Sequence, residues 1–216
     1  MKILNLYAGI GGNRKLWGDE HEVTAIENNK EIAEVYKKLF PKDKVIIKDA
    51  HKFLLQHYKE YDFIWSSPPC PSHSILNRTG RFKKARYPDF KLYEEIIFLK
   101  HNFKGKWVVE NVKPYYEPLI KPYFAGRHCF WSNFHVANFK IRSPKTLTSM
   151  TKEDLMKWLD MYIKKNIYIK PNHCERQILR NCVHPKLGLH VFNCAFKEIQ
   201  QILTKSEVKH LEVTKD

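Results

Sequence analysis

The segment Ser66-Ser67-Pro68-Pro69-Cys70-Pro71-Ser72-His73-Ser74 sets a cysteine among closely spaced prolines. Each proline fixes φ and removes a backbone donor, so the segment reads as a rigid, non-helical ledge. A free thiol of pKa about 8.5 is only a few per cent thiolate at neutral pH, yet it is intrinsically nucleophilic. Most cysteines are small buried hydrophobes, and that reading suits Cys129 and Cys194. A cysteine on so stiff a ledge is costly for packing alone, so Cys70 is read as a nucleophile. Further on, Glu110-Asn111-Val112 closes an apolar run that ends at the same sheet edge. A thiol and a carboxyl group together suit attack on a pyrimidine. The carboxyl group shares a proton with N3 of cytosine and accepts from the exocyclic amine, which leaves C6 electron-poor. Thiolate addition at C6 then makes C5 carbanion-like and able to take a methyl group from a sulfonium.

A second set of residues points to the methyl donor. Tyr7-Ala8-Gly9-Ile10-Gly11-Gly12 follows the first apolar run, and its glycines allow a tight turn and close backbone approach to a ligand. The second run ends in Glu27, placed to grip ribose hydroxyls. The third ends in Asp49, placed to accept from an adenine amine. Either acid alone suits a helix cap; the ordered set of turn, acid and acid fits a nucleoside cofactor. The phosphate-gripping GxGxxG is absent, so the turn fits S-adenosylmethionine (AdoMet) better than a dinucleotide.

The elements that must hold these residues alternate through the first half of the chain. Strands are expected at Lys2–Tyr7, Glu22–Ile26, Lys44–Ile47, Asp62–Trp65 and Lys106–Val109, with helices clearest at Lys30–Phe40 and Tyr93–Asn102. Such alternation predicts an α/β fold with a doubly wound, mostly parallel sheet. Two further runs, His128–Trp131 and Phe134–Ile141, are close enough to form a hairpin. Helices are expected over Lys152–Lys165 and Leu187–Ile202. Asn77–Lys91 breaks the rhythm, with six basic residues against one acid, and reads as a mobile basic loop. The expected division is a cofactor-binding catalytic core over 1–141, a reduced target-recognition region over 142–175, and a C-terminal helical segment over 176–216 returning to the core.

The 216 residues suffice for one domain with a sizeable core. Lys and Arg number 38 against 23 acids, a net charge of +15 that attracts polyanions. No apolar run approaches the roughly 18 residues of a membrane span, and Met1-Lys2-Ile3-Leu4-Asn5 carries no signal-peptide pattern; a cytoplasmic chain without membrane contact is expected. The five cysteines are then reduced. His173-Cys174 and Cys182/His184 match no standard zinc spacing, and no metal is expected.

LYAGIGG, AIENN, KDAH, SSPPCPSHS and VVENV resemble, in order and spacing, signature motifs of the DNA cytosine-5 methyltransferases, and ERQILRNCVHPKLG resembles their last motif. The resemblance spans nearly the whole chain. It implies the AdoMet-dependent methyltransferase (Rossmann-like) fold with a terminal antiparallel strand, and a cytosine flipped out of duplex DNA before chemistry. It assigns Cys70 as nucleophile and Glu110 as the N3 partner, and gives Tyr7, Gly9, Gly11, Glu27, Asp49, Pro69, Asn181 and Val183 to AdoMet. The basic loop stands where that family has its mobile catalytic loop, so Arg78, Arg81, Lys83, Lys84 and Arg86 are expected on nucleic acid.

The chain also departs from the pattern. Asn5 replaces the usual Asp, Pro71 a common Gln, and Arg180 a Gly. In Gly126-Arg127-His128-Cys129-Phe130-Trp131-Ser132-Asn133, aligning Phe130 and Trp131 with the family's RxRxFWxN run puts Gly126 and His128 at the arginine positions. Arg127, shifted by one residue, is the expected catalytic arginine, with His128 the alternative. The long recognition domain of typical members is missing. Readout of bases is then short, carried by the basic loop and Lys164–His173, or supplied by a partner subunit. A monomer is expected. Two other readings stand beside DNA methylation: a tRNA cytosine-5 methyltransferase, and a non-catalytic AdoMet- or DNA-binding module. Replacing Lys83, Lys84 and Arg86 by Ala is expected to weaken DNA binding across all sequences. The plot of log K against log salt should flatten by about 0.9 for each phosphate that the variant leaves unneutralised. Binding titrations at several salt concentrations check this; an unchanged slope counts against the loop assignment.

Overall fold

Near-continuous apolar runs such as Phe63-Ile64-Trp65 suit strands covered on both faces, and the computed structural model, which describes residues 1–78, 86–163, 168–169 and 173–196, buries them so. β1 (Lys2–Leu6), β2 (Glu22–Ile26), β3 (Lys44–Ile46), β4 (Phe63–Ser66), β5 (Lys106–Val112), β6 (Tyr123–Ala125) and β7 (His128–Ser132) form one sheet in the order β3-β2-β1-β4-β5-β7-β6. β1 to β5 run parallel; β7 lies antiparallel between β5 and β6. The order reverses between β1 and β4, the switch point at which such sheets bind ligands.

On one face, α2 (Ala50–His57) and α3 (Lys91–Asn102) bury Phe53, Leu54, Ile96 and Leu99 against Leu4, Leu6, Ile64 and Val109. On the other, α6 (Pro185–Phe196) brings Val191 and Phe192 to Ile3, Phe63, Trp65 and Phe130, with Trp17 stacked on Phe192. A third cluster joins α1 (Lys30–Leu39), α4 (Lys152–Leu159) and α5 (Glu175–Asn181) through Val35, Leu155, Leu159, Ile178 and Leu179. β8 (Tyr168–Ile169) and β9 (His173–Cys174) form a separate two-stranded ribbon. Among the described residues no helix is long and apolar enough to cross a membrane.

Two expectations are corrected. The hairpin partner of β7 is Tyr123–Ala125, not Phe134–Ile141, which forms no strand. The apolar alternation there reflects burial: Phe134 and Val136 are inside, and Phe139 and Ile141 pack on the α6 face. The helix expected to reach Lys165 ends at Leu159, because Asp160 adopts φ 51° and the Met161 N–H turns back to the Met156 carbonyl, burying Met161. The basic stretch begins as a short 3-10 turn at Ile75–Arg78 and gives way to α3 at Lys91; its centre, with Arg81, Lys83 and Lys84, lies outside the described residues. The end of the last expected helix, beyond Phe196, does so too.

Arg14 is almost fully buried and pairs bidentately with Asp43 at 2.9 and 3.0 Å, while the Tyr36 hydroxyl donates to the same carboxylate at 2.8 Å. This pins the segment after the glycine turn onto α1. Breaking a buried pair from one side strands the other charge, so Arg14→Ala is expected to cost about 3–5 kcal/mol, read as a lowered midpoint in urea unfolding. A loss under about 1 kcal/mol would contradict it.

Candidate active site

β1 delivers Tyr7 at its carboxyl end in the left-handed region, φ 53°, a strained setting for a residue with a side chain. The strain is held by a buried carboxylate. Tyr7 Oη donates to Glu95 Oε1 at 2.6 Å, and Ser66 Oγ donates to Glu95 Oε2 at 2.6 Å. Burial, then the Glu95 charge, raise the Tyr7 pKa, so the hydroxyl keeps its proton. Gly9, at φ 55°, faces open space: an added Cβ would meet nothing within 4 Å. Gly11 adopts φ 81°, as a tight turn requires, and its smallness also serves packing: a Cβ there would lie 2.3 Å from Phe40.

Glu27 is buried at the end of β2, where its oxygens accept from the Gly9 and Asn29 N–H groups at 3.0 and 2.9 Å. Burial raises its pKa and these N–H groups oppose the rise. The helix that follows is capped by Asn29 instead. Asp49 does cap its helix, Oδ1 accepting from the Lys52 N–H at 2.8 Å, and it also lines a cleft. That cleft runs between Tyr7, Asn28, Asp49, Pro69, Leu92 and His73. Acid, amide and apolar walls at the switch point fit a nucleoside with a polar amine. Asn181 and Val183 stand at the α5–α6 junction. The Val183 carbonyl presses on the glycine turn, where a Cβ on Gly12 would lie 2.4 Å away, while the exposed Asn181 accepts from Gln177. The last motif thus returns to the cofactor turn.

The reacting side is built on β4 and β5. Cys70 is half-buried just beyond β4, and the N–H groups of His73 and Ser74 both turn back to its carbonyl at 3.0 Å. The Asn111 amide donates to the Pro68 carbonyl at 3.0 Å, tying the ledge to β5 beside Glu110. Burial, and then the negative charge of Glu110, push the Cys70 thiol up to about 11, with the Arg127 charge opposing. Cys70, Glu110 and Arg127 therefore act on one another as a group. Glu110 itself is held by His128, Nδ1 to Oε1 at 2.6 Å, both buried. Arg127 is exposed and donates to the Arg180 carbonyl at 3.1 Å. So the direct partner of Glu110 is His128, the alternative left by the motif alignment, while Arg127 bridges to α5.

Sequence reasoning missed Glu95, His51 and Leu92. His51 joins Glu95 at 3.0 Å, and Leu92 is apolar cleft wall. An acid in an otherwise apolar helical face, Tyr93-Glu94-Glu95-Ile96, was the available signal. Asn5 is fully buried and accepts from the Asn13 amide at 2.8 Å; its own amide donates back to Asn13 Oδ1 at 3.5 Å, the one contact of the pair that a carboxylate could not make. Arg78 and Arg86 are exposed, and the segment after Arg86 is tied to the ledge by the Asp89 N–H donating to Ser72 Oγ at 3.2 Å.

Comparison with known proteins gives three findings. Residues 1–119 match the family of C-5 cytosine-specific DNA methylases. The tRNA (cytosine(38)-C(5))-methyltransferases of Homo sapiens and Spodoptera frugiperda are each 28% identical, over 52% and 58% of this chain but only 30% and 40% of their own lengths. This chain thus spans less than half of the curated relatives it matches. The methyltransferase EhMeth of Entamoeba histolytica superposes with a TM-score of 0.52 at 9% identity, covering 88% of this chain and 95% of that one, a likeness of fold.

With its thiol raised to about 11, Cys70 should be alkylated slowly at pH 7.5 and about tenfold faster per pH unit up to pH 10, measured by peptide-resolved mass spectrometry with iodoacetamide. A plateau below pH 9 would overturn the assignment. Glu110→Gln removes the like charge, so its Cys70 should react roughly 3- to 10-fold faster at pH 8.

Proposed function

This chain belongs to the C-5 cytosine-specific DNA methylase family, and from that premise we propose that it methylates C5 of cytosine in DNA with AdoMet as methyl donor. The observation that carries this reading is the placing of Cys70 and Glu110 beyond adjacent parallel strands, where the Glu110 charge is felt at the Cys70 thiol.

With cytosine seated between them, Glu110, held in place by His128, takes up the proton that the Cys70 thiol releases and passes it to N3. Protonation at N3 draws electrons from C6, and the Cys70 sulfur adds there. Burial keeps the resting thiol protonated, so the nucleophile is released only against a bound, activated base. Bound AdoMet supplies an electrophilic methyl group on its sulfonium. C5 would take that methyl group as its bond to the sulfonium breaks; the C5 proton then passes to water, the ring double bond re-forms, and Cys70 leaves as the N3 proton returns to it through Glu110. Arg127 supplies positive charge close to the sulfur and opposes the field of Glu110. Tyr7, Asp49 and Pro69 would hold the cofactor's nucleoside, with Glu27 behind the turn.

Base flipping costs a few kcal/mol, which contacts from a basic surface must recover. The net charge of +15 and the exposed Arg78 and Arg86 supply such contacts. A second reading, methylation of tRNA, is favoured by the names of the two curated relatives. Recognition beyond the short segment after β7 would come from a partner subunit. Labelled methyl transfer to duplex DNA and to tRNA separates the two readings. Cys70→Ala is expected to lower transfer by about a thousandfold or more while retaining AdoMet binding, and the unaltered chain should form a covalent adduct with 5-fluorocytosine DNA. Unimpaired turnover in the variant would remove the mechanism.

A further inference from the structure

Two histidines line the cleft that holds Tyr7, Asp49 and Pro69, and they differ in what their ring nitrogens have left to offer. His51 is fully engaged, Nδ1 with Glu95 at 3.0 Å and Nε2 with Glu94 at 3.3 Å. The Glu95 hydrogen bond raises its pKa, and neither ring nitrogen is left for a ligand. His73 is only 1% exposed, and its Nδ1 lies 2.6 Å from Tyr116 Oη. Its Nε2 is buried with no hydrogen-bond partner. An orphaned polar atom inside a fold is costly and calls for a partner that the chain itself does not supply.

The hydrogen bonds behind His73 decide which kind of contact. The Leu119 N–H donates to Tyr93 Oη at 3.2 Å, and Tyr93 Oη donates to Tyr116 Oη at 3.5 Å. Tyr116 has accepted a proton and has its own to give, and His73 Nδ1 is the acceptor in reach. Burial raises the Tyr116 pKa and lowers that of His73, against a weaker pull from Asp89, so the tyrosine keeps its proton and the imidazole stays neutral. On this order of donors the single ring proton falls to Nε2, which leaves an unmatched donor on a residue of the cleft wall. Asp49 offers the opposite: with Oδ1 given to the Lys52 N–H, its second oxygen is an acceptor.

We propose that His73 Nε2–H donates to a ring nitrogen flanking the 6-amino group of the cofactor's adenine, while Asp49 accepts from that amine. One donor and one acceptor then read adenine as adenine. Guanine and hypoxanthine present an oxygen at position 6, which the Asp49 carboxylate repels. This rests on the reading that the cleft holds AdoMet. It makes His73 a specificity residue for the cofactor, distinct from the cysteine three positions earlier.

Calorimetric binding of S-adenosylhomocysteine and its 1-deaza, 3-deaza and 7-deaza analogues to the full chain and to His73→Phe tests it without relying on turnover. The variant is expected to bind the parent compound about 10-fold more weakly. The unaltered protein should bind the 1-deaza or the 7-deaza analogue more weakly by a similar factor, a penalty the variant does not share; the 3-deaza analogue should cost both proteins the same. If the 1-deaza and 7-deaza analogues also cost both proteins the same, the contact does not exist. If the unaltered protein binds no S-adenosylhomocysteine, the cofactor reading itself fails. Should the variant not fold, nitrogen NMR of the unaltered protein decides: Nε2 must be the protonated nitrogen, and its proton must move downfield on binding. A proton on Nδ1 overturns the proposal.

Discussion

The pairing of β4 with β5, Ser66 beside Val109, is the constraint on which the rest of the site depends. Two parallel neighbours end at the same sheet edge, so whatever follows each strand meets there. After β4 comes a proline ledge with a thiol, and at the end of β5 a carboxyl group. The Asn111-to-Pro68 hydrogen bond then removes the remaining freedom between them. No helix or loop need be deformed to bring nucleophile and acid together. The register of two strands does it.

Around that edge the chain buries charge, and each case is paired by residues distant in sequence. Glu95 gathers Tyr7, Ser66 and His51; Asp43 gathers Arg14 and Tyr36; Glu110 is met by His128. A buried carboxylate left alone would be costly, so these clusters act as fixed joints. The Glu95 joint is the most telling, because it binds β1, α2, β4 and α3 at one point below the cofactor cleft. It also holds Tyr7 in a backbone conformation that side chains avoid.

The segment between β7 and α5 carries α4, and its described residues serve the framework: Met150, Leu155, Leu159 and Met161 pack with α5 against α1. The exposed Arg78 and Arg86, by contrast, follow the proline ledge in the chain.

The sequence alone determined the parallel α/β core, since strand–helix alternation and apolar runs reflect local geometry and burial. It also placed Cys70, Glu110, Glu27 and Asp49 at strand ends, because each sits in a short motif that follows or closes an apolar run. Only the tertiary structure decided which partner each would have. That His128 rather than Arg127 touches Glu110 follows from the alternation of side chains along β7, beyond the reach of a motif one residue out of step. That Phe134–Ile141 buries Phe134 and Val136 without pairing as a strand depends on β6 having taken the edge of β7. The orphaned nitrogen of His73 and the Glu95 joint emerge only when residues far apart in the chain are brought to one wall, since hydrogen bonding is a property of positions in space and leaves no period in the sequence.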